Sequence, residues 1–329
     1  MGRIAVLTSG GDAPGMNAAA RALTRKGIAL GFEIWGVRRG YRGLMEEDLV
    51  PLGPREVGDV LQRGGTMLGT ARAEEFKTPA GQKRALEALE KYRIEGLVVI
   101  GGDGSLHGAQ ALHEQGVRTI GIPATIDNDI PGTEIAIGVD TALNTVVEAI
   151  NKLRDTAASH ERTFVIETMG RDCGYLALMA GLAGGAEAIL IPEAPFDLKE
   201  VARRVLRSHR AGKKHSFIVV SEGIRQHLEL RPFQSVGEYV GAYIADETGL
   251  EVRVTVLGHV QRGGAPTAFD RLLATRFGVA AAQALQEGKS GRMLALQRGE
   301  IVSLPLKEAL QGRRELDLEL LELAYLLSG

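Results

Sequence analysis

Four apolar residues, Leu97-Val98-Val99-Ile100, three of them β-branched, run without a break into Gly101-Gly102-Asp103-Gly104-Ser105. An unalternating run of this kind fits a strand of a parallel sheet covered on both faces. The glycines let the backbone that follows turn sharply against an anion. Ser105 is then placed to cap a helix beginning near Leu106, which puts free N–H groups and the positive end of a helix dipole at the strand's carboxyl end. Open α/β sheets bind ligands at that end. Asp103 is the odd member, because a carboxylate repels bound phosphate unless a magnesium ion lies between them. The stretch reads as a phosphate and metal site.

The same unit recurs along the chain. Ile4 to Thr8 predicts a strand, Ser9-Gly10-Gly11-Asp12-Ala13-Pro14-Gly15 a turn, and Met16 to about Leu30 an alanine-rich helix with Arg21 and Arg25 on one face. Phe32 to Arg38 predicts the next strand, Arg63 to Arg72 a glycine-rich turn with arginines at both ends, and Gly81 to Tyr92 a helix. A short strand at Thr119 to Ile122 ends in Pro123-Ala124-Thr125-Ile126-Asp127-Asn128-Asp129. Asp140 reads as the N-cap of a long helix through Asp155 that crosses into a second domain. Strands are then predicted at Arg162 to Thr168, Ala188 to Pro192, Phe217 to Ser221 and Glu251 to Leu257, with helices to Leu182, near Leu198 to Ser208, near Val236 to Glu247 and from about Asp270 to Glu287. The β, α, β, α order predicts parallel sheets built from right-handed crossovers.

One glycine turn after a strand carries little information, because any backbone must reverse somewhere. Five such turns, at Ser9, Gly101, Thr125, Met169 and His259, follow strands and collect at carboxyl ends. Gly102-x-Gly104 continues to Gly108, one residue late for a dinucleotide fingerprint, and Gly288-Lys289-Ser290 follows a helix instead of a strand, so neither marks a nucleotide site of those types. The turn containing His259 and Arg262, with Arg253 on the strand before it, is either three solvated charges or a cradle for a phosphate monoester. Asp127 and Asp129 form either a self-bonded Asx turn or a pair of carboxylates facing one pocket. A base there contributes about 10²- to 10⁴-fold to catalysis, and Arg171 supplies the positive charge that a transferring phosphoryl group requires.

Composition removes other classes. The 329 residues carry 39 basic and 41 acidic side chains, a formal charge of -2 that gives no global attraction to nucleic acid or an anionic membrane. Cys173 is the only cysteine, and the remaining histidines (His107, His113, His160, His209, His215, His227) show no metal-ligand spacing, so zinc chemistry is not expected. The start, MGRIAVLTSGG, has neither a signal peptide nor a myristoylation pattern, and a cytoplasmic location is expected. Arginine outnumbers lysine 29 to 10, with four asparagines, a weak lean towards a thermophile or a GC-rich genome.

The motifs LTSGGDAPGMNAA, GGTMLGTAR, VVIGGDGS, TIDNDI, VVEAINKLRDTA, MGR, GKKH and TVLGHVQRGG, in this order, resemble the bacterial-type, ATP-dependent 6-phosphofructokinase family through nearly the whole chain. The resemblance implies two doubly wound, Rossmann-like parallel-sheet domains with the active site in the cleft between them. It places a larger ATP-binding domain at 1–138 plus about 261–311, and a smaller fructose 6-phosphate-binding domain at 139–260 plus about 312–329. It implies transfer of the γ-phosphoryl group of MgATP to the 1-hydroxyl of fructose 6-phosphate. By the same resemblance Asp127 is the base, Asp129 orders the acceptor, and Thr125 and Arg171 contact the moving group. Gly11 and Arg72 approach the ATP phosphates, Asp103 engages magnesium, and Gly102, Gly104, Ser105 and Gly108 form the nucleotide cradle. Fructose 6-phosphate meets Met169, Gly170, Glu222, His259 and Arg262, with Arg162 and Arg253 reaching in from a neighbouring subunit of a homotetramer. An effector site for ADP or phosphoenolpyruvate is implied at Arg21, Arg25, Asp59, Arg154, Gly185, Glu187, Lys213, Lys214 and His215.

Three positions depart from the family pattern near the effector or nucleotide: Ala211 where a basic residue is common, with Arg210 beside it, and Arg55 and Lys77. The Arg225 to Ser235 segment reads as a surface insertion. Pyrophosphate-dependent members carry an aspartate at the position of Gly104 and a lysine at that of Ala124, so this sequence favours ATP. Two other readings stay open on the residues alone. A lipid or NAD kinase shares the GGDG loop but lacks TIDND, MGR and GHVQRGG, and a non-catalytic nucleotide sensor has no need of Asp127, Asp103 and Arg171.

Overall fold

The computed structural model describes residues 2–328. Two compact units divide the chain, Met1–Thr141 with Arg262–Arg314 and Ala142–Gln261 with Glu315–Gly329. In chain order the first contains β1 (Arg3–Ser9), α1 (Met16–Ala29), β2 (Glu33–Val37), α2 (Gly40–Met45), β3 (Leu49–Leu52), α3 (Pro79–Lys91), β4 (Ile94–Gly101), α4 (Asp103–Glu114) and β5 (Thr119–Pro123). Helix α5 (Val139–His160) begins in it and continues into the second unit. The second unit has β6 (Thr163–Thr168), α6 (Tyr175–Ala183), β7 (Ala188–Leu190), α7 (Leu198–Arg210), β8 (Ser216–Ser221), α8 (Val236–Thr248) and β9 (Val252–Val256). The chain returns to the first unit with α9 (Ala268–Gln286), β10 (Arg292–Gln297), β11 (Glu300–Pro305) and α10 (Leu306–Ala309), and ends on α11 (Glu319–Leu327) in the second.

The first sheet has the order β11-β10-β5-β4-β1-β2-β3. Its centre is parallel, and Leu97, Val98, Val99 and Ile100 of β4 are wholly buried between helical layers. Burial of one such side chain is worth about 1.5–3 kcal/mol, so the apolar run fixes β4 at the heart of the unit. The expectation of parallel pairing fails at both edges, where β3 pairs antiparallel with β2 and β11 with β10. The second of these is a hairpin whose two turn residues, Arg298 (φ 51°) and Gly299 (φ 78°), are both left-handed. A turn with positive φ at both central residues matches the twist of the flanking strands and joins them directly, without a crossover helix. The second sheet, β7-β8-β6-β9, is parallel throughout and leaves β9 as an edge strand.

Two expected helix caps are also corrected. Helix α4 begins at Asp103, with Gly102 as its N-cap, so Ser105 lies inside the first turn and caps nothing. The turn after β4 is tighter than a serine cap needs: a Cβ on Gly101 would lie 2.6 Å from the Ser105 hydroxyl. Asp140 sits inside the first turn of α5, and its carboxylate accepts a 2.5 Å hydrogen bond from Thr267 Oγ1. The capping group for α5 comes from Asp270 on α9, which accepts from the N–H groups of Gly138 (2.9 Å) and Thr141 (2.8 Å).

Candidate active site

In the first sheet Ser9, Gly101 and Pro123, the last residues of β1, β4 and β5, pair across neighbouring strands and stand in one row. The three turns that follow therefore leave the sheet side by side, about 5 Å apart. Their glycines make that approach feasible. A Cβ on Gly10 would lie 3.1 Å from Ser105 Oγ, and one on Gly102 would lie 3.5 Å from Thr125 Cβ. On Gly11 it would run into the Arg262 guanidinium, which also donates to the Asp12 carbonyl at 3.3 Å.

Two threonines bring the Arg72 segment to the same edge. Thr8 Oγ1 donates to Gly69 O at 3.0 Å, and Thr70 Oγ1 donates to Gly10 O at 2.7 Å. Asn17, buried in the alanine-rich α1, holds the preceding turn by donating to Arg63 O and accepting from Met67 N. Arg72 itself is exposed. Asp103, in the first turn of α4, keeps 45% of its side chain exposed beside His107, 3.3 Å away. No group of three or more metal-ligating side chains exists among the described residues. A single accessible carboxylate at a helix N-terminus fits Mg²⁺, which takes one or two carboxylates and completes its shell with phosphate and water. Gly104 faces open space, and Gly108 packs on the Tyr41 ring, where a Cβ would stand 2.7 Å from the phenol.

The third turn carries the paired aspartates. Thr125 Oγ1 accepts from Asp127 N at 3.1 Å, Asn128 Oδ1 accepts from Ala136 N at 3.1 Å, and the Thr125 N–H donates to Ile137 O. Asp127 is 2% exposed and Asp129 only partly buried, with Asn128 left-handed between them at φ 52°. The turn is held through its backbone, the Thr125 hydroxyl and the Asn128 amide.

In the second unit, β6 and β8 end on the paired residues Thr168 and Ser221, so the turns carrying Met169, Gly170 and Arg171 and carrying Glu222 emerge together. Glu222 Oε1 accepts from Gly170 N (3.1 Å) and Arg171 N (2.8 Å). A Cβ on Gly223 would meet the Arg171 carbonyl, so both turns close on one another. A cavity of about 340 Å³ is lined by Glu167, Arg171, Asp172, Glu222, Gly223, Arg225 and Gln226. Burial pushes the Glu167 carboxyl up from its ordinary range, and the neighbouring Glu222 charge adds to this. His259 is exposed in the helical turn Gly258–Arg262 after β9. Arg162 and Arg253 lie at the other end of this sheet, where both pair with Glu251. The six residues of β6 separate Arg162 from Met169 by about 20 Å, and Arg253, in register with Phe164, lies about 16 Å along the strand from it.

The phosphofructokinase family model matches residues 3–285. The chain belongs to the phosphofructokinase family. It is 56% identical over 328 residues to an ATP-dependent 6-phosphofructokinase of Brevibacillus brevis, and the match spans 100% of both chains. A Thermotoga neapolitana protein of the same name is 54% identical, again over 100% of both. Phosphofructokinase from Saccharomyces cerevisiae superposes with a TM-score of 0.86 at 38% identity, over 94% of this chain and 45% of the yeast one. A pyrophosphate-dependent phosphofructokinase from Marinobacter aquaeolei shares the fold, with a TM-score of 0.85 at 22% identity over 97% of this chain and 86% of that one.

Of the residues that phosphofructokinase resemblance assigns to effector binding, Arg154, Gly185, Glu187, Lys213 and His215 gather round Phe217 in the second unit. The Arg154 guanidinium lies 4.9 Å from the ring centroid and the His215 ring 5.8 Å. Glu187, wholly buried, pairs with Lys213 and accepts from Phe217 N at 2.5 Å. Lys214 does not join them, because it turns outward to Glu161 at 2.8 Å. Arg21 and Arg25 on α1, and Asp59, belong to the first unit. Sequence reasoning passed over Asn17, Thr70 and Gln261. The last is wholly buried and accepts from Met169 N at 3.3 Å. A polar residue inside an apolar helix, or between the histidine and arginine of a turn, was the available signal.

Proposed function

We propose that this chain transfers the γ-phosphoryl group of MgATP to the 1-hydroxyl of D-fructose 6-phosphate, giving fructose 1,6-bisphosphate and ADP at the committed step of glycolysis. The observation that carries the reading is the row of turns holding Gly11, Gly102 to Ser105, and Thr125 to Asp129 on three neighbouring strand ends. In this reading the N–H groups at the start of α4 and the glycine turn at Gly11 hold the ATP phosphates, with Arg72 beside them. Asp103 holds the magnesium ion, which when bound offsets phosphate charge. Asp127 accepts the proton of the attacking hydroxyl, Asp129 orders the acceptor, and Thr125 and Arg171 stabilise the transferring group. Met169, Gly170, Glu222, His259 and Arg262 take the sugar phosphate. Purified protein offered fructose 6-phosphate in a coupled assay turns over with ATP and not with pyrophosphate. Activity confined to pyrophosphate overturns the choice of donor.

The cytoplasm, where glycolytic substrates are found, is the location that goes with this activity, and no described helix is long and apolar enough to cross a membrane. The cluster round Glu187 supports an effector site for a phosphorylated ligand such as ADP or phosphoenolpyruvate. Arg162 and Arg253 lie too far from Met169 within one unit to share a ligand with it, which supports their supply to a neighbouring copy in a homotetramer. Mixed assemblies of Arg162→Ser and Asp127→Ser chains test this. Re-association regains activity at low fructose 6-phosphate that neither parent shows, because some hybrid sites combine Asp127 with Arg162. No gain on mixing overturns the shared site.

A further inference from the structure

We propose that Asp270, a residue of α9 outside every motif above, is a positioning residue that holds the loop carrying Asp127 in register with the loop carrying Gly11. The inference rests on the reading of Asp127 as the base. Asp270 is wholly buried, and its two oxygens are fully engaged by the entrance to α5. Oδ1 accepts from Gly138 N at 2.9 Å, and Oδ2 accepts from Thr141 N at 2.8 Å and Thr141 Oγ1 at 2.6 Å. Thr141 Oγ1 in turn accepts from Thr267 N at 3.0 Å, and Thr267 Oγ1 accepts from Asp270 N at 3.2 Å. The starts of α5 and α9 thus cap each other reciprocally.

From Gly138 the bonding runs directly to the base. The adjoining Ile137 donates to Pro123 O and accepts from Thr125 N, and Thr125 Oγ1 accepts from Asp127 N. On its other side the same junction touches the loop before α1. A Cβ on Gly15 would stand 2.6 Å from Ile137 Cγ2 and 3.5 Å from Asp270 O, while one on Gly138 would stand 2.6 Å from Ala13 Cβ. Both glycines have left-handed φ, 108° and 101°, so neither space nor backbone accommodates a side chain here. Keeping a carboxylate in such a place is costly: burial raises its pKa to about 6, against 3.8 ordinarily, and the nearby Asp140 charge adds to this. A neutral amide gives a cheaper buried group but cannot satisfy the site, because its NH₂ end would face an N–H donor at Gly138 or at Thr141. An error of about 1 Å in the placing of a catalytic group is enough to cost about 10²-fold in rate.

The test compares Asp270→Asn, Thr141→Val and Thr141→Ser with wild type, with rates expressed per ATP site counted by calorimetric titration. Asp270→Asn lowers kcat about tenfold or more, with KM for both substrates and the ATP dissociation constant within twofold. Thr141→Val, which loses the hydroxyl, moves in the same direction by a smaller factor, and Thr141→Ser, which keeps it, restores kcat. A wild-type kcat in Asp270→Asn overturns the proposal, as does a loss that merely follows the number of ATP sites. If Asp270→Asn does not fold, Thr141→Val decides: lowered kcat with full ATP sites upholds the role, and unchanged kcat removes it. Asp127→Ser is measured alongside. An active Asp127→Ser overturns the assignment of the base, whereas an inactive one beside an unaffected Asp270→Asn overturns the positioning role alone.

Discussion

Replacing Asp127 with serine lowers kcat by about 10²- to 10⁴-fold, the range of a positioned general base, while ATP affinity stays near its wild-type value. Three bonds of the loop do not involve the carboxylate and survive the substitution. Thr125 Oγ1 binds the backbone N–H of residue 127, Asn128 binds Ala136 N, and Thr125 N binds Ile137 O. A serine hydroxyl fits where a carboxylate did but ionises far too weakly to take a proton at neutral pH. Steady-state kinetics and a thermal melt separate the outcomes. An unchanged turnover number moves the base elsewhere, and a collapsed melting temperature assigns Asp127 to the scaffold.

The second large effect is at Gly104. Changing it to aspartate abolishes turnover with ATP and leaves a folded protein. Nothing lies within 4 Å of the Cβ that a side chain would add there, and an acidic residue in the first turn of a helix is favourable to the helix itself. The penalty falls on the ligand. A second carboxylate beside a phosphate oxygen is worth about 4 kcal/mol of repulsion per unit charge at 4 Å near a protein surface, or about a thousandfold in kcat/KM. Turnover with ATP near the wild-type rate overturns the role of Gly104 in choosing the donor.

Much of this was legible in the chain because the central strands are written in uninterrupted apolar residues and each ends in glycine or a short polar turn. Leu97 to Ile100 reads as a buried strand because three of its four residues are β-branched and two glycines follow at once. The edges of the sheet were not legible. Strand β3 has only four residues, β11 has none that is fully buried, and β11 depends on a two-residue turn at Arg298-Gly299 that reads like any surface loop. The caps were misread for a different reason. Ser105 and Asp140 have the right chemistry at the right spacing, but local chemistry does not say whether a distant residue has already taken the position. Asp270 supplies the cap for α5 from about 130 residues away. The orientation of Lys214, away from Glu187 and towards Glu161, likewise follows from tertiary placement.

The first unit is discontinuous in the chain, and this sets an order on biosynthesis. Helix α1 packs on α9, and β5 has β10 as its outer neighbour, yet both partners lie beyond residue 262. At about 5–20 residues per second, a ribosome that has finished Thr141 takes on the order of ten seconds to deliver them. Through that interval the apolar flank of α1 and the open hydrogen-bonding edge of β5 are exposed on the nascent chain, while the residues of the second sheet emerge in one uninterrupted run. The unit begun first therefore stays open while most of the second is made, and only the α11 segment of the second unit follows its last strand.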